Sequence, residues 1–436
     1  MVNFSTIDEN KYVLQNGKVL ASSDEAAVAA EKNRKIIEPW LTALFQSEHL
    51  SLLLGNGFTT GISNLAGITS ASMNTTINFK DIDDDTKIEK AIDIQAKKMG
   101  RGKPNCEDYI RVIDQLICGY EILDEKDKKE LLIKKRNEIV SNLLQEILVS
   151  EIHFNEFVPK EGSKDPVNYL VSFLLSFASR TATRERLNIF TTNYDRFIEY
   201  GADIAGLHVL DRFVGTLEPI FRNSKLDLDL HYNPPGIRGE PRYLEGVVRL
   251  TKLHGSLDWI YKNGFVRKTR LPFGWNSSDK LNAETVMIYP TAAKDKETSD
   301  YPYVDLFRDY AATVCRPNSV LVTYGYGFGD SHINRVIADM LTIPSTHLVV
   351  LSYSDDENKI ERFCNSCRRP DQLTVLIGKD FASIENLVDF YLPKSAIDKI
   401  TIREADVLRN RRTENEEENA NIITPRILDE LIEEFK

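Results

Sequence analysis

Two kinds of apolar pattern alternate along the chain. Short runs rich in leucine and β-branched residues occur at 50–54, 187–190, 247–253, 319–324, 347–352 and 373–377, and each ends in polar or glycine residues. Near-continuous apolar strands of this kind suit a parallel sheet covered on both faces. Helical spacing follows the later runs at 331–340, 356–367 and 383–391. Alternating strand and helix predicts an α/β fold, a Rossmann-like doubly wound parallel sheet.

A different texture separates the first run from the second. From 81 to 178 the apolar positions recur at helical spacing, and Leu131, Leu132, Ile139, Val140, Leu143, Leu144, Ile147 and Leu148 form one stripe. Asp165 before Pro166 predicts an N-cap and a first-turn proline. We read residues 66–180 as a helical module inserted into an α/β domain spanning 50–402, with 1–49 as an N-terminal segment and helix. Closing over a ligand and mediating assembly both remain open as roles for the module. Residues 409–421 are charged and Asn-rich, as in a solvated linker. Thr424-Pro425 then predicts a terminal helix with Ile427, Leu428, Leu431, Ile432 and Phe435 on one face, so 403–436 forms a linker and an amphipathic helix. That helix docks either on its own domain or on a neighbour.

Composition narrows the function classes. At roughly 150 residues per domain, 436 residues suggest two to three domains. The net charge of −11 disfavours a dedicated nucleic-acid binder, while a local basic groove or a partner that holds the DNA stays open. The apolar stretch 167–178 is far shorter than the roughly 20 residues of a membrane span. The first residues lack an apolar signal-peptide core, and the 5 cysteines are an odd, sparse set. A reduced, cytoplasmic protein with free thiols is expected, without contact with a membrane. Cys364 and Cys367 form a lone CxxC pair, which reads as thiols rather than as half of a zinc site. The chain contains no Walker-type Gly-Lys-Ser/Thr motif, so it is not expected to hydrolyse ATP.

The chemistry-bearing residues sit where strands end. Leu54 is followed by Gly55-Asn56-Gly57-Phe58-Thr59-Thr60-Gly61, and Phe190 by Thr191-Thr192-Asn193-Tyr194-Asp195. Leu253 is followed by His254-Gly255-Ser256, and Tyr324 by Gly325-Tyr326-Gly327-Phe328-Gly329-Asp330-Ser331-His332. In an open parallel sheet these ends share one edge, where ligands bind. Taken singly, each has a plainer explanation: a tight turn at 55–57, a helix cap at Thr192, Asp195 or Asp330, a structural histidine at 254.

Together, in this order, the motifs resemble the sirtuin family of NAD-consuming enzymes over residues 50–377, apart from the inserted module. The strings at 189–195, 252–257 and 326–334 are similar to bacterial sirtuin-like antiphage effectors, above all to the subunit that operates with a HerA-type ring ATPase. Met287-Ile288-Tyr289-Pro290 and 305–334 also fit that branch. The resemblance implies a sirtuin-type NAD-binding fold with NAD as substrate. It makes His254 the general base, Asn193 the residue that orients the ribose and the attacking water, and Asp195 the contact to the nicotinamide amide. Gly55, Asn56, Gly57 and Thr59 correspond to the loop that cradles the pyrophosphate, and Phe58, Thr192 and Gly255 join the cofactor-binding residues, although Asn56 and Phe58 stand where many family members carry small residues. Gly325, Gly327 and Asp330 correspond to the adenosine region. His332, at a helix start, either joins the cofactor contacts or caps the helix.

Departures from the family pattern shape the expected activity. No Asp-Phe-Arg follows Gly61-Ile62-Ser63-Asn64, and 256–289 contains no cysteine where deacetylases carry a four-cysteine zinc ribbon. Tyr261-Lys262-Asn263-Gly264-Phe265 predicts a tight hairpin instead. No metal is therefore expected, and water replaces an acetyl-lysine oxygen as nucleophile. The implied function is an NAD+ glycohydrolase that depletes NAD in antiphage defence, as a homo-oligomer docked on a HerA-type ATPase that holds the DNA. The alternatives are a non-catalytic NAD or ADP-ribose sensing scaffold, an NAD-dependent deacylase, and a nuclease.

Overall fold

The computed structural model describes residues 4–7, 10–14, 26–71, 79, 85–98, 103–160, 164–180, 184–223, 228–232, 242–269, 271–275, 286–288 and 301–393. The expected linker and terminal helix at 403–436 lie outside the described residues.

In chain order the strands are β1 (Ser5–Ile7), β2 (Asn10–Val13), β3 (His49–Leu54), β4 (Leu187–Thr191), β5 (His208–Leu210), β6 (Phe213–Val214), β7 (Ile220–Phe221), β8 (His231–Tyr232), β9 (Arg242–Tyr243), β10 (Val247–Lys252), β11 (Gly255–Lys262), β12 (Phe265–Lys268), β13 (Val286–Ile288), β14 (Ser319–Tyr324), β15 (His347–Ser352) and β16 (Leu373–Ile377). The helices are α1 (Ala26–Phe45), α2 (Asn56–Leu65), α3 (Asp85–Lys98), α4 (Cys106–Ile122), α5 (Lys126–Asn155), α6 (Pro166–Ala178), α7 (Phe197–Ile204), α8 (Tyr303–Val314), α9 (Ser331–Met340) and α10 (Lys359–Cys367). Short helical turns follow at Lys379–Ala382, Ile384–Asn386 and Leu387–Tyr391.

The main sheet runs β1-β2-β16-β15-β14-β3-β4-β10-β5. From β16 to β5 every pair is parallel. An antiparallel hairpin, β1 and β2, is added along β16, where only a segment and a helix were expected. The strands after β3 lie first on its β4 side, and from β14 onward on the other. The order therefore reverses across β3 and β14, and the crevice at their carboxyl ends is the ligand position of such sheets. The fold is mixed α/β of Rossmann-like type, with a mostly parallel central sheet.

Alternation along each strand builds two apolar layers. Leu50, Leu52 and Leu54 enter one cluster with α1, α2, α6 and α7, while Leu53 enters the other with α8, α9 and α10. Each fully buried aliphatic side chain contributes roughly 1.5–3 kcal/mol, which is why the strand runs read as nearly unbroken apolar stretches.

A third cluster belongs to α3, α4 and α5 and reaches Tyr194 and Leu257. The stripe expected at 131–148 lies in it. Asn105 and Asp108 cap α4 reciprocally. Asp165 caps α6 by accepting from Val167 N at 2.9 Å, with Pro166 in the first turn. Leu170, Phe173, Leu174 and Phe177 of α6, however, pack into the sheet's own layer. The separately cored part of 66–180 is therefore α3–α5, because the apolar face of α6 matches the sheet rather than its helical neighbours. A smaller antiparallel sheet, β13-β11-β12-β7-β6, starts directly after His254. Its β11–β12 turn has Asn263 and Gly264 at φ of 54° and 77°, the left-handed pair of a type I′ hairpin.

Candidate active site

The floor of the crevice is main chain. Gly55 ends β3 and caps α2, and its N–H donates to Tyr324 O at 3.1 Å. Gly57 N donates to Gly325 O at 2.9 Å. A Cβ on Gly55 would lie 2.5 Å from Gly325 O, and one on Gly57 would lie 2.6 Å from Gly325 Cα. Gly325, at φ 61°, would meet Gly57 C at 2.5 Å and the Phe58 nitrogen as well. The loops after β3 and β14 thus cross in a contact that only glycines permit. Phe58 does not face the crevice. Its ring is fully buried, 5.3 Å from the Phe173 ring, and anchors α2 to the sheet's layer.

The loop after β4 brings the polar groups together. Thr191 Oγ1 donates to Leu54 O at 2.9 Å and accepts from Asn193 N at 3.0 Å, tying the β4 end to β3. Asn193 Nδ2 donates to Gly55 O at 3.0 Å and to Thr59 Oγ1 at 2.9 Å. Thr59 Oγ1 in turn donates to Asp195 Oδ2 at 2.7 Å. Asp195 Oδ1 accepts from Phe197 N at 3.3 Å, and Lys252 Nζ donates to the Asp195 carbonyl and to Glu199 Oε1. Burial shifts the Asp195 carboxyl upward from its ordinary value, against the pull of Lys252 and Thr59. His254 stands at the end of β10, its Nε2 3.5 Å from Nε2 of His332.

Two cavities adjoin over these groups. The smaller, about 140 Å³, is lined by Asn56, Thr59, Thr192, Asn193, Asp195, His254 and Asp330, and by Ala71, Glu107, Leu143, Ile147, Ser150 and Tyr194. The larger, about 650 Å³, is lined by Gly55, Asn56, Gly57, Thr192, Gly325, Gly327 and Asp330, and continues along 352–356, Lys359, Lys379 and 383–385. Asn56, Thr192 and Asp330 border both. Asp330 is the N-cap residue of α9, but its side chain makes no cap bond. His332 lines neither cavity and stands behind His254, with Phe307 against it at 4.7 Å between ring centroids. Gly255, at φ 90°, lines neither and turns the chain from β10 into β11.

The module residues in the smaller cavity were not anticipated. Glu107 comes from α4, and Leu143, Ile147 and Ser150 come from α5. The signal for them is an interruption: Leu143 and Leu144 recur seven residues on as Ser150 and Glu151, both buried. Glu151 pairs with Arg196, accepting from its Nη2 at 2.5 Å and from its backbone N at 2.9 Å. The pair fixes α5 to the residue after Asp195.

Burial pushes the Glu151 carboxyl from 4.5 to about 6, against the opposing pull of Arg196. The folded chain holds that proton more tightly than the unfolded chain does. The stabilisation is therefore complete below about pH 4.5 and is lost as pH rises through about 6. Wild-type stability is expected to fall by about 2 kcal/mol more than that of Glu151→Gln across this window. Equal slopes in thermal unfolding of the two proteins would assign the proton elsewhere.

Other sequence features are structural. Cys364 is buried in the core on α10 and Cys367 is half-buried, and burial raises both thiols. None of the five cysteines forms a disulfide. Among the described residues no group of three or more His, Cys, Asp or Glu could hold a metal ion, and no helix is long and apolar enough to cross a membrane.

Residues 187–368 match the family model of the SIR2-like domain. The matched span holds Asn193, Asp195, His254 and the 325–332 turn, and supports a sirtuin-like family; the 55–61 loop precedes it. No curated protein matches the chain.

Proposed function

We propose that this chain, similar to the SIR2-like domain across its central residues, hydrolyses NAD+ to nicotinamide and ADP-ribose. The observation that carries the reading is the meeting of Asn193, Asp195 and His254 in a cavity of about 140 Å³ that adjoins one of about 650 Å³. The smaller suits a single ring, since a cavity of roughly 150 Å³ holds benzene. The larger falls within the roughly 300–1,000 Å³ of small-molecule sites.

On this reading the adenosine half occupies the larger cavity. The pyrophosphate lies by the Gly55–Gly57 and Gly325–Gly327 loops, at the α2 N-terminus, whose dipole favours an anion. This removes any conflict with the −11 net charge, because a helix N-terminus needs no basic surface. The nicotinamide enters the smaller cavity. The bond between ribose C1′ and the pyridinium nitrogen breaks, its electron pair leaving with neutral nicotinamide. Water adds to C1′, held by Asn193, and His254 accepts a proton from the water or a ribose hydroxyl. The relay Asn193–Thr59–Asp195 holds the amide of Asn193 in one orientation. With α4 and α5 lining the smaller cavity, water is a better fit than an acyl-lysine side chain.

The proposal extends to the biological role: an NAD-depleting effector of a bacterial antiphage system, cytoplasmic, homo-oligomeric and activated with a HerA-type ring ATPase that holds the DNA. The residue strings at 189–195, 252–257 and 326–334 support it. The test is nicotinamide release from NAD+ by the full chain, with and without the ring ATPase and with and without an acetylated peptide. Equimolar nicotinamide and ADP-ribose, independent of peptide and increased by the ATPase, is the expected result. Release that requires the peptide would mean a deacylase, and saturable NAD binding without release under any condition would mean a sensing scaffold.

A further inference from the structure

We infer that the inserted helical module takes part in substrate recognition: the hydroxyls of Ser150 on α5 and of Tyr194 hydrogen-bond the carboxamide of the nicotinamide ring. The inference rests on the NAD-hydrolysis reading and deepens it.

Both residues line the smaller cavity with Asn193 and His254. Ser150 is 3% exposed and Tyr194 6%. Neither hydroxyl has a hydrogen-bond partner among the described residues. Buried polar groups are nearly always paired, because an unpaired one forfeits its bonds to water without replacement. A serine inside a helix commonly bonds back to the carbonyl four residues earlier, as Ser176 does to Ser172 O at 2.8 Å. Ser150 makes no such bond. Two partnerless hydroxyls on residues that line one ring-sized cavity point to a ligand that carries polar atoms on a ring.

The pyridine carboxamide has that chemistry. Its carbonyl oxygen accepts and its NH2 donates. The Tyr194 phenol is held well above its ordinary pKa by burial, so it stays protonated and donates to the carbonyl. The Ser150 oxygen accepts from the NH2 group. Ala71, Leu143 and Ile147 give the same cavity its apolar lining for the ring. Asp195, the acceptor implied by resemblance, already receives Thr59 Oγ1 and Phe197 N, which leaves room for other groups to read the amide.

The experiment measures kcat/KM of the full chain on NAD+ and on two analogues under conditions of nicotinamide release. One analogue is the acetylpyridine dinucleotide, which lacks the NH2; the other is the thioamide dinucleotide, in which sulfur replaces the carbonyl oxygen. Ser150→Ala is expected to lower kcat/KM on NAD+ about tenfold and on the acetylpyridine analogue little. Tyr194→Phe is expected to do the same against the thioamide analogue. Each variant removes a hydroxyl that has no partner, so melting temperature is expected to hold or rise. A fall shared equally by all three substrates, as for a water-holding or purely structural role, would overturn the assignment while leaving NAD hydrolysis standing; so would no fall at all. A wild type inert toward NAD+ under every condition would overturn the hydrolysis reading and this inference with it.

Discussion

His254→Ala is expected to slow nicotinamide release by about 10²–10⁴-fold, the range for a positioned acid–base group. The imidazole is 6% exposed and lines the smaller cavity, so bulk water cannot easily substitute for it. Its Nε2 faces the Nε2 of His332 at 3.5 Å, and two facing ring nitrogens share at most one proton. One of them must therefore present a lone pair. Because the crossing of the glycine loops is untouched, calorimetry of His254→Ala with NAD+ is expected to show binding retained. Asn193→Ala differs, because it also removes the bonds to Gly55 O and Thr59 Oγ1. In that variant KM is expected to rise as kcat falls. Undiminished turnover in both proteins would move the chemistry to another site.

Gly325→Ala is expected to destabilise the fold by about 2–5 kcal/mol and to abolish NAD+ binding. Roughly 1–2 kcal/mol comes from placing a side chain at φ 61°. About 1–3 kcal/mol more comes from overlap with Gly57 and Phe58 backbone atoms, which have no rotamer by which to escape. Two controls separate these causes. Gly67 has φ 67° with nothing within 4 Å of an added Cβ, so Gly67→Ala carries the strain alone. Gly327 lines the larger cavity with open space around an added Cβ and no positive φ, so Gly327→Ala leaves stability intact and perturbs only the ligand. Denaturant unfolding that ranked Gly325→Ala with Gly67→Ala would show that the loop crossing yields to a methyl group.

The parallel core was legible because its strands are buried on both faces. The runs at 319–324, 347–352 and 373–377 are strands with those bounds. The hairpin β1–β2 was not, since strands of three and four residues carry too little pattern to be read alone. The same holds for β5 to β9, where two- and three-residue strands are set by pairing rather than propensity. Helical periodicity located α6, but periodicity names the buried face without naming its partner, so α6 was assigned to the module instead of the sheet. At the site, strand-end residues were legible because topology brings such ends to one edge. The inward turn of the Phe58 ring was not legible, because a glycine-rich turn says nothing about which way its one large side chain faces. His332 behind His254, and Glu151 on α5, depend on tertiary neighbours 78 and 45 residues away in sequence.

The crossing of Gly55, Gly57 and Gly325 has a consequence for how tightly a ligand can be held there. Side chains that grip a diphosphate must give up their own rotational freedom, about 0.5–1.5 kcal/mol for each one immobilised. Glycines have no such freedom to surrender. A ligand resting on these loops meets a main-chain surface already locked by its own hydrogen bonds, so this part of the crevice works as a rigid template. The entropic cost of recognition is confined to the polar groups around Asn193 and to the ligand itself.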